Sequence, residues 1–453
     1  MTLEYVIIYI NNIIVYNFIY IPMKYFGTDG IRGRIIIDLT DKLIDKVAKA
    51  IVLYYNKHKL KRVLLVGNDT RLSSGYILAR LSCKLLKNGI DIHNLGTCSS
   101  PSLAFLTQKF NYPLGLMLSA SHNPAEYNGL KFFNSFGEKV SDEFEEEFET
   151  LMDKKISLKN NCFASTKNME NLKQEYINHL KSHIKFDFPF ILDCANGGTS
   201  EICKVVFPNQ EKINLNPNGT NINLNAGCTH LEMLRSLCIK KQKIGFAFDG
   251  DGDRVHVVDT DGEILAGDKI LFILSKFFQK SGDICVGTIY TNTGLEKALK
   301  ERNISLKRSD VGDKKVYRLM RETSSILGGE DSGHIILKSH MNTGDGVLVA
   351  ILIANVLQMS KQDLKELLYD YHEFCQLREN IKIENTSSAT QNLLKQKTLQ
   401  DLIKNFEKQN AKIIIRPSGT EPLLRLFVEH EHEKIAKSII EELNLTVINL
   451  LKD

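Results

Sequence analysis

Short apolar runs alternate with amphipathic helix patterns along most of this chain. The clearest helix pattern covers Asp41–Lys57, where the apolar residues share one stripe and Thr40 precedes the first turn as a suitable N-cap. The run Val63–Val66 follows it and is typical of a buried strand. The alternation recurs in three successive stretches of similar size, which predicts α/β layers. The last part of the chain combines strands and helices as a small α+β unit.

The same criteria predict the other main elements. The chain has 453 residues, which is enough for three or four domains. Further helices are predicted over Ser74–Lys87, Asp268–Gln279, Leu295–Arg302, Gly346–Met359 and Ile435–Leu451. Further strands are predicted at Leu114–Leu118, Phe190–Asp193, Ile244–Phe248, Ile284–Tyr290, Ile381–Ile383, Lys412–Ile415 and Leu423–Val428.

The overall charge and the cysteines exclude several classes of protein. Lys and Arg number 58 against 54 Asp and Glu, and this excess of 4 is too small to indicate a nucleic-acid or membrane partner. The nine cysteines are scattered and include no C-x-x-C pair, so the sequence predicts neither a zinc ribbon nor a disulfide framework. We therefore expect a reduced, cytoplasmic protein.

The first 22 residues differ in character from the rest of the chain. They lack the basic segment and the small-residue cleavage site of a signal peptide. A membrane span is disfavoured because Asn11, Asn12 and Asn17 interrupt the apolar stretch and no basic residues precede it. We expect Met23 to be the physiological start and residues 1–22 to be an upstream extension of the gene model, with a membrane anchor as the alternative.

The strongest chemical signal is the segment Asp249–Asp253, which reads DGDGD at the end of an apolar strand. Its alternate carboxylates can converge on one hard cation, and the glycines allow the backbone to curl. A calcium EF-hand is excluded because the sixth position is Arg254 and the twelfth is Thr260. A plain polar hairpin is the alternative. Three carboxylates leave room for a phosphate oxygen or water, as magnesium sites often do.

The second signal is the segment Ser119–Pro124, which reads SASHNP at the end of another strand. The Ser121 hydroxyl could receive and return a phosphoryl group while a cation neutralises the transferring oxygens. A capped turn is equally consistent with this segment taken alone. No G-x-S-x-G motif occurs, which argues against a hydrolase-type serine.

Two weaker motifs lie further along the chain. Arg416–Pro422 (RPSGTEP), with Arg425 just beyond, offers hydroxyl and guanidinium groups that could bind a phosphate. Glu330 and Ser332 alternate so that both could face sugar hydroxyls, and His334 could act as an acid or a base. Each motif is also consistent with an ordinary turn or strand entry. No G-x-x-x-x-G-K-[ST] or G-x-G-x-x-G sequence supports nucleotide binding.

These four motifs, in this order and at this spacing, resemble those of the α-D-phosphohexomutase superfamily. The resemblance extends from Lys24 almost to the C-terminus. Lys24–Gly33 (KYFGTDGIRG) and Arg416–Thr420 look like the bacterial branch that acts on glucosamine phosphates. The superfamily implies three related α/β domains and a smaller C-terminal α+β domain around a central cleft. The four domains are expected to carry the phosphoserine (23–155), carry the metal loop (156–253), recognise the sugar (254–370) and bind the phosphate (371–453).

The resemblance also implies roles for individual residues. Ser121 would carry the phosphate, and Asp249, Asp251 and Asp253 would hold one Mg²⁺ together with an oxygen of that phosphate. Acid/base or charge-stabilising groups near the reacting oxygen would be Arg32, Lys131 and His334. Substrate-binding residues would be His122, Arg254, Glu330, Ser332, Arg416, Ser418, Gly419, Thr420 and Arg425, the last five holding the non-reacting phosphate.

The implied reaction converts glucosamine 6-phosphate into glucosamine 1-phosphate through glucosamine 1,6-bisphosphate. A homodimer is plausible for the superfamily. Asp331 stands where the glucosamine branch commonly has Gln, and Asn225–His230 departs slightly from the usual pattern, so glucose and mannose phosphates remain alternative substrates. The alternatives from other classes are an inactive sugar-phosphate-binding protein and a phosphatase that uses the same serine.

Overall fold

The computed structural model describes residues 7–10, 13–16, 23–156, 158, 162–383, 386–417 and 422–451. The chain forms two compact units. The larger one comprises Lys24–Thr291 and Leu295–Tyr371, and the smaller one is built on the segment from His372 onward together with Asn292–Gly294. Near the N-terminus, β1 (Ile7–Ile10) and β2 (Ile13–Tyr16) pair antiparallel.

The larger unit begins with a six-stranded sheet and its helices. In chain order these elements are β3 (Ile31–Arg34), α1 (Asp41–Lys57), β4 (Val63–Asn68), α2 (Ser73–Lys87), β5 (Asp91–Thr97), α3 (Ser100–Lys109), β6 (Leu114–Leu118), β7 (Tyr127–Asn134), α4 (Asp142–Asp153), β8 (Thr166–Asn168) and α5 (Lys173–Ser182). The strand order is β3-β7-β6-β4-β5-β8. The bounds of α1 and β6 match those predicted, and Thr40 caps α1 by accepting a hydrogen bond from the Leu43 backbone N–H.

The second sheet has the strand order β10-β9-β11-β12-β13. Its elements are β9 (Ile191–Asp193), α6 (Ser200–Val206), β10 (Glu211–Ile213), α7 (Glu232–Lys241), β11 (Gly245–Phe248), β12 (Val255–Val258) and β13 (Ile264–Leu265). The third sheet has the order β15-β14-β16-β17. Its elements are α8 (Gly267–Phe278), β14 (Ile284–Thr288), α9 (Thr293–Glu301), β15 (Ser305–Ser309), α10 (Asp313–Glu322), β16 (Leu327–Gly329), β17 (Ile335–Leu337), α11 (Gly346–Ser360) and α12 (Leu364–Leu367).

The three sheets share one topology. In each, the first parallel strand lies between the second and the third, and the third strand turns back into an antiparallel neighbour, as in β5-β4-β6-β7, β10-β9-β11-β12 and β15-β14-β16-β17. The prediction of related α/β domains is therefore confirmed. Helix α11 is buried around most of its circumference because α8, α5 and strands of the second sheet pack on it, which explains why it is apolar throughout.

The smaller unit is α+β, as predicted. Its elements are β18 (Cys375–Lys382), α13 (Thr386–Lys395), α14 (Lys397–Glu407), β19 (Lys412–Pro417), β20 (Leu423–His430) and α15 (Glu433–Leu450). The antiparallel order is β18-β20-β19, and apolar residues of β20 and α15 form the core. Strand β18 begins well before the predicted Ile381–Ile383. The prediction missed its first residues because exposed polar side chains, such as Arg378 and Glu379, interrupt the apolar pattern of this edge strand. Within the described ranges, no helix is both long and apolar enough to cross a membrane.

Candidate active site

The predicted site loops of the larger unit occupy one repeated position in the fold. Ser121 lies between β6 and β7, Asp249–Asp253 lies between β11 and β12, and Glu330–Ser332 lies between β16 and β17. Each loop therefore follows the third parallel strand of its sheet, at the strand's carboxyl end. α/β proteins bind ligands at this edge because the loops there are free to carry function. The topology thus explains why three motifs that are far apart in sequence occupy equivalent positions in their sheets.

Ser121 is completely buried and faces the acidic loop. Its Oγ donates a hydrogen bond to Asp249 Oδ2 at 2.6 Å. Its backbone adopts a left-handed conformation with φ of 53°, which is unusual for a residue that carries a side chain. The Ser121 backbone N–H donates to Ser119 Oγ at 2.9 Å. The first sheet and the second sheet therefore meet at this serine.

The acidic loop brings three carboxylates together. Asp249, Asp251 and Asp253 are buried, and each offers an oxygen that lies within 4.8 Å of the others. Gly252 has φ of 74°, which only glycine adopts readily. A Cβ at Gly250 would lie 2.6 Å from the Ser121 carbonyl oxygen. Both glycines are thus required for the loop to curl against the serine.

The donor set fits a divalent cation. Asp251 Oδ1 and Asp253 Oδ1 are buried and have no hydrogen-bond partner in the part of the chain that the structure describes. Burial raises the pKa of Asp249 to about 8, and the carboxylates of Asp253 and Asp251 contribute to this rise. Buried anionic oxygens without partners are unfavourable unless a cation binds them. The geometry therefore supports the predicted metal ligands.

Two lysines, the buried Lys131 and the partly buried Lys139, partly neutralise this anionic cluster. Lys131 Nζ lies 2.5 Å from Asp251 Oδ2 and 2.8 Å from Asp29 Oδ2. Lys139 Nζ lies 2.7 Å from Asp29 Oδ1 and also pairs with Asp313. Burial opposes ionisation of Asp253, but Lys131 and Lys139 outweigh it and hold the pKa of Asp253 below its ordinary value.

Arginine and histidine side chains border the same cluster. The Nε atoms of Arg32 and Arg254 are buried and have no hydrogen-bond partner among the described residues, so both guanidinium groups can still bind an anion. His122 Nδ1 lies 3.4 Å from Ser121 Oγ. Burial, with help from Arg254 and Arg32, lowers the pKa of His122 to about 3, so this ring is neutral at pH 7.

His334 and the loop before it lie beside the cluster on the third sheet. His334 Nε2 lies 3.1 Å from Asp313 Oδ2 and 3.9 Å from Asp253 Oδ2. Glu330 Oε1 accepts a hydrogen bond from the Gly312 backbone N–H at 2.9 Å. Ser332 Oγ lies 3.5 Å from Glu330 Oε2. The structure therefore gathers Arg32, Lys131, His122, Arg254 and His334 around the serine and the aspartates, and it places Glu330 and Ser332 on the adjoining loop.

The predicted phosphate-binding residues belong to the smaller unit. Arg416 on β19 is the register partner of Arg425 on β20. Ser418, Gly419 and Thr420 lie outside the described residues.

Several contributors to the site were absent from the sequence prediction. They are Asp29, Asp69, Arg71, Ser100, Lys139, Asn223 and Asp313. Asp69 directly follows the strand β4, and its position at a carboxyl end was a usable signal. Ser100, whose Oγ donates to Asp251 Oδ2, begins α3 and carried no such signal. Lys139 and Asp313 lie in segments with no motif and meet only through tertiary packing.

Comparison with known proteins identifies the family. The phosphoglucomutase/phosphomannomutase family models match domain I at residues 23–159, domain III at 266–374 and the C-terminal domain at 379–445. A phosphoglucosamine mutase of Bacillus mycoides is 36% identical over 440 residues, covering 93% of this chain and 97% of the relative. A phosphoglucosamine mutase of Halalkalibacterium halodurans is 37% identical over 438 residues, with the same coverage. The chain belongs to the phosphohexomutase family.

Solved structures agree with the fold of this phosphohexomutase. A phosphoglucomutase/phosphomannomutase family protein of Burkholderia thailandensis has a TM-score of 0.77 at 19% identity, covering 93% of this chain and 97% of that one. The N-acetylphosphoglucosamine mutase of Aspergillus fumigatus, solved with GlcNAc-6P and magnesium, has a TM-score of 0.65 at 16% identity, covering 95% and 96%. The family models and the two relatives confirm the resemblance inferred from the motifs, and the phosphohexomutase is an isomerase.

Proposed function

We propose that this phosphohexomutase interconverts glucosamine 6-phosphate and glucosamine 1-phosphate through a phosphorylated Ser121. The glucosamine 1-phosphate would feed cell-wall precursor synthesis. The observation that carries the proposal is the buried Ser121 Oγ, 2.6 Å from Asp249 Oδ2, within a ring of basic side chains. The curated relatives at 36% and 37% identity are phosphoglucosamine mutases, which favours the glucosamine substrate over glucose or mannose phosphates.

Asp249, Asp251 and Asp253 would hold Mg²⁺ together with an oxygen of the Ser121 phosphate. Once bound, the ion would neutralise charge on the transferring oxygens. Asp251 Oδ1 and Asp253 Oδ1, which have no hydrogen-bond partner in the described part of the chain, would supply ligand atoms for it. The positive charges of Lys131 and Arg32 would also stabilise negative charge on the transferring oxygens.

The reaction would consist of two phosphoryl transfers, one from Ser121 to the sugar and one from the sugar to Ser121. The O–P bond to Ser121 Oγ breaks as a sugar hydroxyl oxygen bonds to phosphorus, and the hydroxyl proton passes to a base, for which His334 is the candidate. Glucosamine 1,6-bisphosphate then reorients, and its 6-phosphoryl group returns to Ser121 while a proton returns to the sugar oxygen. Glu330 and Ser332 would orient the sugar hydroxyls. Arg416 and Arg425, with Ser418, Gly419 and Thr420, would hold the phosphate that does not react.

A mass measurement and a single substitution test the proposal. The purified protein is expected to carry one phosphate, mapped to Ser121, and to turn over glucosamine 6-phosphate faster than glucose or mannose phosphates with Mg²⁺ and a bisphosphate activator. Ser121→Ala should lower turnover by about 10³-fold or more, because the nucleophile is lost while the fold remains. Ser82→Ala, on helix α2 where the hydroxyl bonds to the Leu78 carbonyl, is the matched control.

The possible outcomes separate the alternatives. Preference for a glucose or mannose phosphate would keep the mechanism and change the substrate, as the Asp331 departure allows. Release of inorganic phosphate in place of an isomerised sugar would indicate a phosphatase. Normal turnover by Ser121→Ala would refute the role of the serine.

A further inference from the structure

Arg71 is a buried arginine that follows β4, and it takes no part in the chemistry described above. It is 2% exposed, and its side chain is completely enclosed. Its Nε donates to Asp69 Oδ2 at 2.9 Å. Asp69 is itself fixed, because its Oδ2 accepts from Ser119 Oγ at 2.6 Å and its Oδ1 accepts from the Arg71 backbone N–H at 3.0 Å. The Asp69–Arg71 ion pair is therefore held in place independently of the loop between β6 and β7 that carries Ser121, here called the serine loop.

The two terminal nitrogens of Arg71 bind backbone carbonyl oxygens of the serine loop and of Tyr127, the first residue of β7. Nη2 donates to the Ser121 oxygen at 2.9 Å and to the Asn123 oxygen at 2.7 Å. Nη1 donates to the Tyr127 oxygen at 3.0 Å and to the Pro124 oxygen. Each of the five guanidinium N–H groups thus has an acceptor. Three acceptors lie on the serine loop, and the other two are Tyr127 at the start of β7 and Asp69. A lysine ammonium has only three donors and no planar fork, so it cannot reproduce this set.

A second residue holds two of the same carbonyl groups from the neighbouring sheet. Asn223 Nδ2 donates to the Ser121 oxygen at 2.9 Å and to the Asn123 oxygen at 3.0 Å. Asn223 is 5% exposed, and its backbone N–H donates to the Ala195 oxygen at 2.9 Å, which fixes it to the second sheet. The Ser121 carbonyl is therefore held from two sides.

These contacts fix the direction in which the serine hydroxyl points. The left-handed φ of Ser121 turns its carbonyl toward Arg71 and Asn223 and its Oγ toward Asp249. A residue with a side chain does not favour that conformation by itself, so the surrounding hydrogen bonds must maintain it. Resting on the proposed function, we propose that Arg71 is a positioning residue that aims Ser121 Oγ at the metal loop, and that Asn223 assists it.

The test compares Arg71→Lys with Arg80→Lys and with Asn223→Ala. Arg71→Lys keeps the charge beside Asp69 but loses most of the carbonyl contacts. Arg80→Lys is the matched control, because Arg80 pairs with Asp45 and Asp41 at the surface of helix α2. Displacing a reacting group by about 1 Å lowers the rate by about 100-fold. We therefore expect kcat for glucosamine 6-phosphate to fall by about 30- to 100-fold in Arg71→Lys, with KM changing by less than about 3-fold.

Two further readouts separate positioning from a purely structural role. The ³¹P resonance of the Ser121 phosphate should shift or broaden in Arg71→Lys and stay unchanged in Arg80→Lys. Asn223→Ala should lower kcat by about 3- to 10-fold, and the double variant should lose less than the product of the single losses, because both residues hold the same carbonyl groups. If Arg71→Lys fails to fold, Asn223→Ala and its ³¹P spectrum decide the question.

The outcomes that overturn the inference are distinct from failure of the proposed function. A folded Arg71→Lys protein with unchanged kcat and an unchanged ³¹P resonance, but a lower melting temperature, would show that Arg71 only stabilises the fold. The same holds for Asn223→Ala where it carries the test. A wild-type protein with neither phosphate nor turnover would instead refute the proposed function, and this inference with it.

Discussion

At the scale of single residues, the site concentrates charge that a folded chain normally avoids. Three buried aspartates lie beside Ser121, and Asp251 and Asp253 retain oxygens without partners among the described residues. Lys131, 2.5 Å from Asp251 Oδ2, and Lys139, 3.7 Å from Asp253 Oδ2, offset part of this charge. Functional sites often hold such unfavourable arrangements because a ligand completes them. Activity and stability should therefore respond in opposite directions when one carboxylate is neutralised.

Asp249→Asn tests this opposition. The amide is neutral at every pH, and its oxygen can still accept the hydrogen bond from Ser121 Oγ. We expect turnover to fall by about 100-fold or more, because a metal ligand is lost. In EDTA at pH 7.5, the free energy of unfolding should rise by about 1 kcal/mol. The raised pKa of Asp249, about 8, makes the folded protein take up a proton that the unfolded chain does not hold, and asparagine removes this cost.

Urea unfolding of the metal-free proteins measures the stability change. Asp187→Asn, at an exposed position, serves as the control and should leave both quantities unchanged. Lower stability of metal-free Asp249→Asn would contradict the prediction, because it would show that the buried carboxylate stabilises the folded protein.

At the scale of elements, histidines bring together parts of the chain that are distant in sequence. His179 on α5 stacks on Phe105 of α3, with ring centroids 4.7 Å apart. His183 lies 4.8 Å from His179 and 4.8 Å from His340, which follows β17. Burial lowers the pKa of all three rings, and for His179 the pKa falls to about 4, with contributions from the other two histidines and Lys109. This histidine stack therefore packs best when it is uncharged.

The histidine stack predicts a loss of stability in mild acid. A folded-state pKa below the ordinary value of 6.5 means that protonation favours the unfolded chain, so stability present above pH 6.5 is lost as the pH falls toward 4. His179→Phe keeps the ring stacking but cannot be protonated. At pH 5 the free energy of unfolding of His179→Phe should exceed that of the wild type by about 1 kcal/mol. This value is reduced to allow for the partial solvent exposure of the ring.

Urea midpoints at pH 7.5 and pH 5 measure this effect. The two proteins should differ little at pH 7.5, and His58→Phe, at a surface ion pair with Glu147, is the control. An equal difference at both pH values would mean that packing, not protonation, distinguishes the variant.

At the scale of the whole molecule, the chain consists of two compact units, and the proposed metal ligands all belong to the larger one. Ser121 comes from the first sheet and the aspartates come from the second, so a bound cation would link two sheets within that unit. A ligand that binds only the folded state stabilises it by mass action. Multi-unit proteins need not unfold in one step, so this effect can be confined to one unit.

Magnesium is therefore expected to stabilise the larger unit selectively. At 100 times its dissociation constant, Mg²⁺ should raise the free energy of unfolding of that unit by about 2.7 kcal/mol. Hydrogen exchange monitored by mass spectrometry should show added protection in peptides that cover β6 and β11, and little in β18–β20. The added protection should vanish in Asp249→Asn. Equal protection of both units, or protection that survives this substitution, would place the cation elsewhere.

The sequence alone determined the features that depend on near neighbours in the chain. Helix α1 and strand β6 have the predicted bounds because periodicity and capping are local properties. The DGDGD and SASHNP loops were recognisable because their chemistry is complete within a few residues at the end of a strand. The four-motif order then predicted the family.

Tertiary structure alone decided which distant residues complete the site. Arg71 and Asn223 meet at the Ser121 carbonyl although they come from different sheets, and Lys139 and Asp313 pair across 174 positions of sequence. Single polar residues of this kind have no periodicity, and their roles depend on which elements pack together. The sequence thus specified the proposed reacting groups. Packing of the sheets specified the residues proposed to aim and neutralise them, because burial and direction are properties of the folded chain.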